Sequence, residues 1–189
     1  MNDADVPTIT VFDVSSGKLK AKKSFGKKGT IYLAPVKEGI VVTASNDTPK
    51  LWNCQLSKCI RVWSSLDKIA EILTVSDEYV ACVRERVEVV ILHTASGKIV
   101  SKIPTDLREC VACNSKFQVM SSDGRTVQLS DGTSVLWEKE HLDFSYGSFS
   151  PDERYVILEN WPFITNVLVL SADTGNTLCS IKFDGIPFG

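Results

Sequence analysis

The sequence has little of what most enzymes and membrane proteins display. It contains only two histidines, His93 and His141, and it has no Gly-x-Ser-x-Gly nucleophile motif, phosphate loop or dinucleotide-binding fingerprint. No apolar run approaches the roughly 18 residues that a membrane-spanning helix needs. The first residues lack the basic and apolar segments of a secretory signal. We therefore expect a soluble, cytoplasmic chain that is not an enzyme and uses no cofactor.

The composition also lacks an excess of charge of either sign. Of the 189 residues 43% are hydrophobic and 23% are charged, with a formal net charge of -2, which is ordinary for a globular protein. The whole molecule therefore has no general attraction for nucleic acid or acidic lipid. The cysteines lie mostly in apolar runs and indicate small buried residues. Cys110 and Cys113 could hold half of a zinc site, but on a strand they would point to opposite faces, so we expect no metal site.

A repeat of about 40 residues is the strongest signal in the chain. Phe12, Trp52 and Leu92 are spaced by 40, and the turns VSSGK, CQLSK and TASGK follow them in the same phase. Short runs of β-branched and aromatic residues lie between these turns, and no segment has a sustained helical period. Repeated four-stranded units of this length are typical of the blades of a β-propeller. The sequence therefore predicts an all-β fold of four-stranded antiparallel blades.

The repeat divides the chain into four full blades and one half blade. The expected divisions are a tail at 1–6, the half blade at 7–25, blades at 26–65, 66–105, 106–141 and 142–185, and a tail at 186–189. A closed ring of seven or eight blades needs roughly 280 to 320 residues, so we expect an incomplete ring. The rest of a longer chain, a second copy or a different protein could complete it.

Two stretches resemble the WD-repeat family. The segment Asn46–Asn53, NDTPKLWN, resembles the Asp-x-Thr-Val-Lys-Leu-Trp-Asp signature, and residues 148–156, SFSPDERYV, resemble its Phe-Ser-Pro-Asp-Gly turn. The third blade has Ile91-Leu92-His93 at the signature position and the fourth has Val127-Gln128-Leu129. The chain is thus similar to a divergent WD repeat, in which most blades lack the hydrogen-bond network of the family.

The resemblance implies a scaffold or sensor that binds a protein, such as the WD-like domains at the C-terminal ends of NACHT-type signalling ATPases. In WD geometry the turns between the second and third strands of each blade emerge on one rim. Aromatic and arginine side chains dominate the energy of many interfaces. The predicted partner-binding residues are Asp47, Arg84, Arg86, Arg125, Trp161 and Phe163. Trp161 could instead fold back onto its blade as packing.

Two other functions remain open at this point. The chain has a basic patch near its start that consists of Lys18, Lys20, Lys22, Lys23, Lys27 and Lys28. This basic patch could bind nucleic acid or an anionic surface, or its lysines could simply protect an outer strand from aggregation. On a strand Lys18, Lys20 and Lys22 would share one face. A propeller hydrolase would need clustered carboxylates in the central channel, which no motif in the sequence indicates.

Overall fold

The computed structural model describes residues 6–25, 30–44, 47–84, 88–105, 109–123, 125–140, 144, 146–159 and 166–183. All regular structure in these ranges is β-strand. No helix in the described part of the chain is long and apolar enough to cross a membrane. The chain divides into two compact units, one formed by Met1–Glu85 with Val90–Ser101 and the other by Arg86–Val89 with Lys102–Gly189.

The strands form one two-stranded sheet and four sheets of four strands. The first sheet contains β1 (Thr8–Phe12) and β2 (Leu19–Ser24). The second contains β3 (Ile31–Val36), β4 (Gly39–Ala44), β5 (Lys50–Trp52) and β6 (Cys59–Val62). The third contains β7 (Ile69–Thr74), β8 (Tyr79–Arg84), β9 (Glu88–His93) and β10 (Ile99–Pro104).

The fourth and fifth sheets repeat the same order. The fourth contains β11 (Glu109–Cys113), β12 (Val119–Ser122), β13 (Val127–Ser130) and β14 (Val135–Lys139). The fifth contains β15 (Tyr146–Phe149), β16 (Tyr155–Glu159), β17 (Asn166–Ser171) and β18 (Thr177–Lys182). Strands that follow one another in the chain are neighbours in the sheet, as in an antiparallel meander.

Burial increases toward the middle strands of each sheet. In β9 the run Val89–Leu92 is buried on both faces, whereas every residue of β18 is exposed. The fourth strands of the other sheets also carry exposed residues, because they form an outer edge. The core therefore lies between sheets, at their first three strands.

Three hydrophobic clusters join neighbouring sheets. In the first unit β3 packs against β7, around the buried side chains of Ala34, Ile69 and Leu92. Another cluster joins the first sheet to the second through Ile9, Val42 and Leu56. In the second unit β11 approaches β15, and a third cluster contains Met120, Leu129, Trp137, Val156 and Leu170. First strands thus meet first strands, as they do in a β-propeller-like repeat.

The predicted fold class, all-β with repeated four-stranded antiparallel sheets, is confirmed. Sequence reasoning favours core positions for Trp52, Trp63 and Trp137; Trp63 and Trp137 are buried, whereas Trp52 is only partly buried. Phe117 lies outside the strands although aromatic residues favour them, since β12 begins at Val119. It lies instead in a turn with φ 60°, where its N–H donates to the carbonyl of Asn114 at 2.9 Å.

Candidate partner-binding surfaces

The antiparallel order separates two kinds of turn in every four-stranded sheet. The turn between the second and third strands lies at one end of the sheet, which we call the middle-turn end. The turns between the first and second strands and between the third and fourth strands lie at the opposite end, which we call the paired-turn end. The predicted partner-binding residues all belong to the middle-turn ends.

Asp47, in the middle turn of the second sheet, is half-buried and takes part in packing within the first unit. Its Oδ1 accepts the N–H of Thr48 at 2.8 Å, and its carbonyl accepts the hydroxyl of Thr43 at 2.9 Å. Its backbone also forms an antiparallel bridge with Ile69, at the start of the third sheet. These contacts give Asp47 a structural role at the middle-turn end.

Two of the predicted partner-binding arginines, Arg84 and Arg125, lie at the middle-turn ends of the third and fourth sheets. Arg84 ends β8, and its Nη2 donates to Oδ1 of Asp67 at 3.1 Å. Arg125 is exposed, and the carboxylate of Asp123 shapes its turn by accepting the N–H of Arg125 at 2.9 Å and of Thr126 at 2.8 Å. Arg86, Trp161 and Phe163 lie outside the described residues.

The turn between β9 and β10, at the paired-turn end of the third sheet, is bound by two side chains from β6 and the residue that follows it. Arg61 donates from Nη1 to the carbonyl of Ser96 at 2.9 Å and from Nη2 to the carbonyl of Ala95 at 2.8 Å. Trp63 donates from Nε1 to the carbonyl of Gly97 at 3.0 Å. These three bonds hold the turn between β9 and β10 from outside its own sheet. We call this arrangement the first clamp.

The second unit contains a corresponding second clamp. Trp137 donates from Nε1 to the carbonyl of Ala172 at 2.7 Å, and Lys139 Nζ donates to the carbonyl of Gly175 at 3.4 Å. A Cβ atom at Gly175 would lie 2.8 Å from Cδ2 of Trp137. Gly175 has φ +68°, a conformation that costs an L-residue roughly 1 to 2 kcal/mol. The turn therefore requires glycine for its shape and for its contact.

The first turns of neighbouring sheets are also joined at the paired-turn ends. Lys37 donates its N–H to the carbonyl of Asp77 at 2.7 Å. In the second unit Glu153 accepts the N–H of Ser115 at 2.6 Å and its hydroxyl at 2.7 Å. Many polar groups at the paired-turn ends are therefore engaged in holding sheet to sheet.

The basic patch is partly engaged in contacts within the chain. Lys20 forms an ion pair with Asp13, and this bond, together with the hydroxyls of Ser15 and Ser16, holds the pKa of Asp13 far below its usual range. Lys23 places Nζ 4.1 Å from the ring centre of Trp52. Lys18 and Lys22 are exposed, and Lys27 and Lys28 lie outside the described residues.

The register of the first sheet further divides these lysines. Val11 pairs with Ala21 and Phe12 pairs with Leu19, so Lys20 is the additional residue of a β-bulge. Strict alternation is therefore interrupted between Lys18 and Lys22. Lys23 lies on the face that packs against the second sheet, so the described lysines do not all share one surface.

Among the described cysteines Cys82 and Cys113 are buried, whereas Cys54 and Cys179 are exposed, so the expectation of buried cysteines is wrong for these two. Burial raises the pKa of Cys82 to about 12, and burial with the nearby charge of Glu153 does the same for Cys113. Such thiols remain protonated at neutral pH and are poor metal ligands. His93 ends β9, where its Nδ1 lies 2.8 Å from the hydroxyl of Ser96. Across the described ranges no group of three or more His, Cys, Asp or Glu could hold a metal ion.

Trp52 lies in the segment that resembles the WD signature, and its ring contacts the apolar side chain of Phe25 and the cationic side chain of Lys23. Its indole Nε1 is buried and has no hydrogen-bond partner among the described residues, and its ring meets Phe25 edge-on at 6.0 Å. Asn53, at the second aspartate position of the signature, organises the next turn by accepting the N–H of Ser57 at 3.0 Å and of Lys58 at 3.1 Å. His141 and Asn46 lie outside the described residues.

Sequence reasoning did not identify the clamp residues Arg61, Trp63, Trp137 and Lys139. One signal was present, because Arg61 and Trp63 are two residues apart. Trp63 directly follows β6 and its N–H still donates to the carbonyl of Pro49 at 3.1 Å, so the two side chains point to the same face. Their targets, however, lie 34 or 35 residues later.

No protein-family model matches the chain, and no curated protein matches it significantly.

Proposed function

We propose that the chain is a non-enzymatic protein-interaction module that binds its partner through the middle-turn ends of its sheets. The observation that carries this proposal is a preorganised middle turn that presents an exposed arginine. Turns at the paired-turn ends are bound by side chains of neighbouring sheets, among them Arg61, Trp63, Trp137 and Glu153. At the middle-turn end of the fourth sheet, Arg125 is exposed on a turn that Asp123 preorganises.

Preorganised turns suit recognition because little conformational entropy is lost when a partner binds. Rigid sheets present loops whose side chains vary without changing the fold, so binding specificity belongs to the loops. Arg84, Arg86, Trp161 and Phe163 belong to the same class of turn as Arg125. Arginine and tryptophan bury large surfaces and are enriched among the residues that dominate interface energies. This module would act as a scaffold or sensor in cytoplasmic signalling, as the WD-repeat resemblance implies.

A capture experiment with opposed variants tests this proposal. Immobilised wild-type chain, Arg125→Glu and Trp161→Ala/Phe163→Ala are exposed to cell extract, and retained proteins are quantified by mass spectrometry. Lys116→Glu is the matched control, because Lys116 is exposed at the paired-turn end of the same sheet as Arg125. A partner retained by the wild type and the control but lost from both other variants supports the proposal. Equal retention by all four folded proteins overturns it.

A further inference from the structure

Three basic residues adjoin Ser96, in the turn between β9 and β10. Ser96 is exposed, and its Oγ lies 2.8 Å from Nδ1 of His93. The N–H of Lys98 donates to the same oxygen at 3.3 Å. Arg61 reaches this turn from β6 and donates from Nη1 to the carbonyl of Ser96 at 2.9 Å. An exposed hydroxyl is therefore placed next to an imidazole, a lysine and an arginine.

Arg61 keeps donors for an anion at this position. A guanidinium has more N–H donors than the two that bond the carbonyls of Ala95 and Ser96. The Oγ and carbonyl oxygen of one serine lie within about 5 Å of each other at ordinary bond lengths. The guanidinium is therefore within reach of a group attached to Oγ of Ser96. Because the first clamp already fixes the side chain of Arg61, little entropy is lost when it binds an anion.

The turn Asp13–Lys18 offers a direct comparison. Both turns contain the sequence Ser-Gly-Lys and the same hydrogen bond from their glycine, so Asp13 corresponds to His93 and Ser16 to Ser96. In the first of these turns Oδ1 of Asp13 accepts the hydroxyl of Ser16 at 2.8 Å and its N–H at 2.9 Å. The donors of such a turn thus converge on an anion. A carboxylate supplies that anion beside Ser16, whereas an imidazole lies beside Ser96.

A carboxylate does approach the turn between β9 and β10, but on its buried side. Oε2 of Glu38 accepts the hydroxyl of Thr94 at 2.8 Å. Thr94 is fully buried, whereas Ser96 is exposed. The negative charge of Glu38 is therefore held by a buried donor, and the exposed side of the turn keeps its basic character.

We propose that Ser96 is a phosphorylation site and that its phosphate strengthens the first clamp by binding Arg61 and Lys98. A separate protein kinase supplies the phosphoryl group from ATP. The bond from Oγ to the γ-phosphorus forms, the bond from that phosphorus to the bridging oxygen breaks, and ADP leaves. The hydroxyl proton passes to the catalytic base of the kinase. Phosphoserine carries a charge of about −1.5 to −2 and additional acceptor oxygens, which arginine binds well.

A phosphate at Ser96 connects two sheets. Arg61 belongs to the second sheet and Ser96 to the third, so each new bond adds to the three bonds of the first clamp. A phosphate at Ser16 would instead meet the carboxylate of Asp13, and the two like charges would repel. The residues involved are not among those of the middle-turn ends, so the inference stands without the proposed function.

Phosphoserine at the two equivalent positions tests the effect on the clamp. The chain is prepared with Ser96→phosphoserine and, separately, with Ser16→phosphoserine as the matched control. We expect amide hydrogen exchange at Gly97 to become at least about fivefold slower in the first protein, because opening the turn would break charge-assisted bonds. Exchange at Gly17 should not become slower in the second. Unchanged exchange at Gly97 overturns the proposal.

Background substitutions identify the groups that bind the phosphate. Exchange at Gly97 is compared with and without the phosphate in Arg61→Met, in Lys98→Met and in the control Lys18→Met. We expect the slowing to fall below about twofold in Arg61→Met, to decrease in Lys98→Met and to persist in Lys18→Met. Slowing that persists in full in both Arg61→Met and Lys98→Met contradicts the proposed contacts.

Incubation of the chain with cell extract and ATP tests whether the site is used. Mass spectrometry should find phosphate at Ser96 and none at Ser16, although both serines are exposed and precede Gly-Lys. No phosphate at Ser96 overturns the proposal. Inorganic phosphate that slows exchange at Gly97 equally in the unmodified chain would indicate a site for a free anion and would also contradict it. Arg125→Glu should be phosphorylated normally, so a failure of the proposed function does not affect this result.

Discussion

The two clamps use the same positions but exchange their residue types. In the second sheet Arg61 lies opposite Leu51 in the strand register, and in the fourth sheet Trp137 lies opposite Leu129. Two residues further, the second sheet has Trp63 and the fourth has Lys139. A cation and a tryptophan therefore hold the next turn in both units, in opposite order.

The exchange shows that the contact depends on position more than on residue identity. In each clamp both side chains come from a fourth strand or from the residue that follows it. They point toward a turn of the next sheet, whose backbone carbonyls accept their hydrogen bonds. Arginine makes two short bonds to these carbonyls, whereas lysine makes one bond at 3.4 Å. The tryptophans keep a bond of 3.0 Å or less and remain buried in both clamps. We infer that tryptophan burial is the shared part of the clamps and that the cation is the variable part.

Removal of the tryptophans tests the feature that the two clamps share, and it should have the largest effect on the free energy of unfolding. Trp63→Ala and Trp137→Ala are each expected to lower the free energy of unfolding by about 3 to 5 kcal/mol, because each opens a cavity and leaves a carbonyl without its donor. Val62→Ala, at an exposed neighbouring site, should change it by about 0.5 kcal/mol or less. Urea unfolding monitored by circular dichroism measures all three. A tryptophan variant as stable as Val62→Ala contradicts the clamp.

The glycines test whether both turns are enclosed by their clamps. Gly97→Ala and Gly175→Ala should each cost about 2 to 4 kcal/mol, because the left-handed backbone and a close contact with Arg61 or Trp137 add together. Gly17→Ala has the same type of backbone, with φ +65° and no atom within 4 Å of the added Cβ, so about 1 kcal/mol is expected. The same unfolding assay applies. Equal costs at the three glycines would show that backbone conformation alone matters.

Arg61 and Lys139 test the part of the clamp that differs between the two units. Arg61→Met should cost about 1 to 3 kcal/mol, since it removes two short charge-assisted bonds to the carbonyls of Ala95 and Ser96. Lys139→Met should cost about 0.5 kcal/mol or less, since its single bond is long and an extended lysine stem is replaced by a similar apolar one. A larger loss in Lys139→Met than in Arg61→Met would reverse the interpretation.

The smallest expected effect concerns the turn Asp13–Lys18. No atom of the described residues would lie within 4 Å of a Cβ added at Gly17 of this turn. This turn relies on Asp13, whose pKa is lowered first by Lys20 and then by Ser15 and Ser16. A lowered pKa means that the carboxylate stabilises the folded turn above its unfolded pKa and that this contribution disappears as the pH falls through the folded pKa. NMR titration should place the Asp13 midpoint well below the ordinary value, and Lys20→Met should raise it. An ordinary midpoint in the wild type contradicts the ion pair.

The strands and turns were largely predictable because their signals are local. Alternating β-branched residues and glycine turns identify β-strands within windows of a few residues, and the 40-residue period relates one window to the next. Phe117 is an exception, because its aromatic side chain favours a strand while its hydrogen bond to the carbonyl of Asn114 keeps its backbone in a turn. The bulge at Lys20 was also missed, since a register shift involves the partner strand Thr8–Phe12.

The candidate site was only partly predictable. The middle turns that carry Arg84 and Arg125 follow from strand order, because an antiparallel meander fixes which turns share an end. The half-buried state of Asp47 does not follow, since its bridge to Ile69 depends on how two sheets pack. Lys23 looked like a member of a basic patch, but its ammonium group lies over Trp52 in the next sheet.

The sequence alone determined the all-β class and the order of the strands, because hydrogen-bond ladders and turns form between neighbours in the chain. The tertiary structure decided the clamps and the enclosed turns. Such contacts join residues more than 20 positions apart on different sheets. They depend on how the faces of neighbouring sheets pack. This packing depends on the shapes of side chains that are far apart in the sequence, so a local pattern of residues does not predict it.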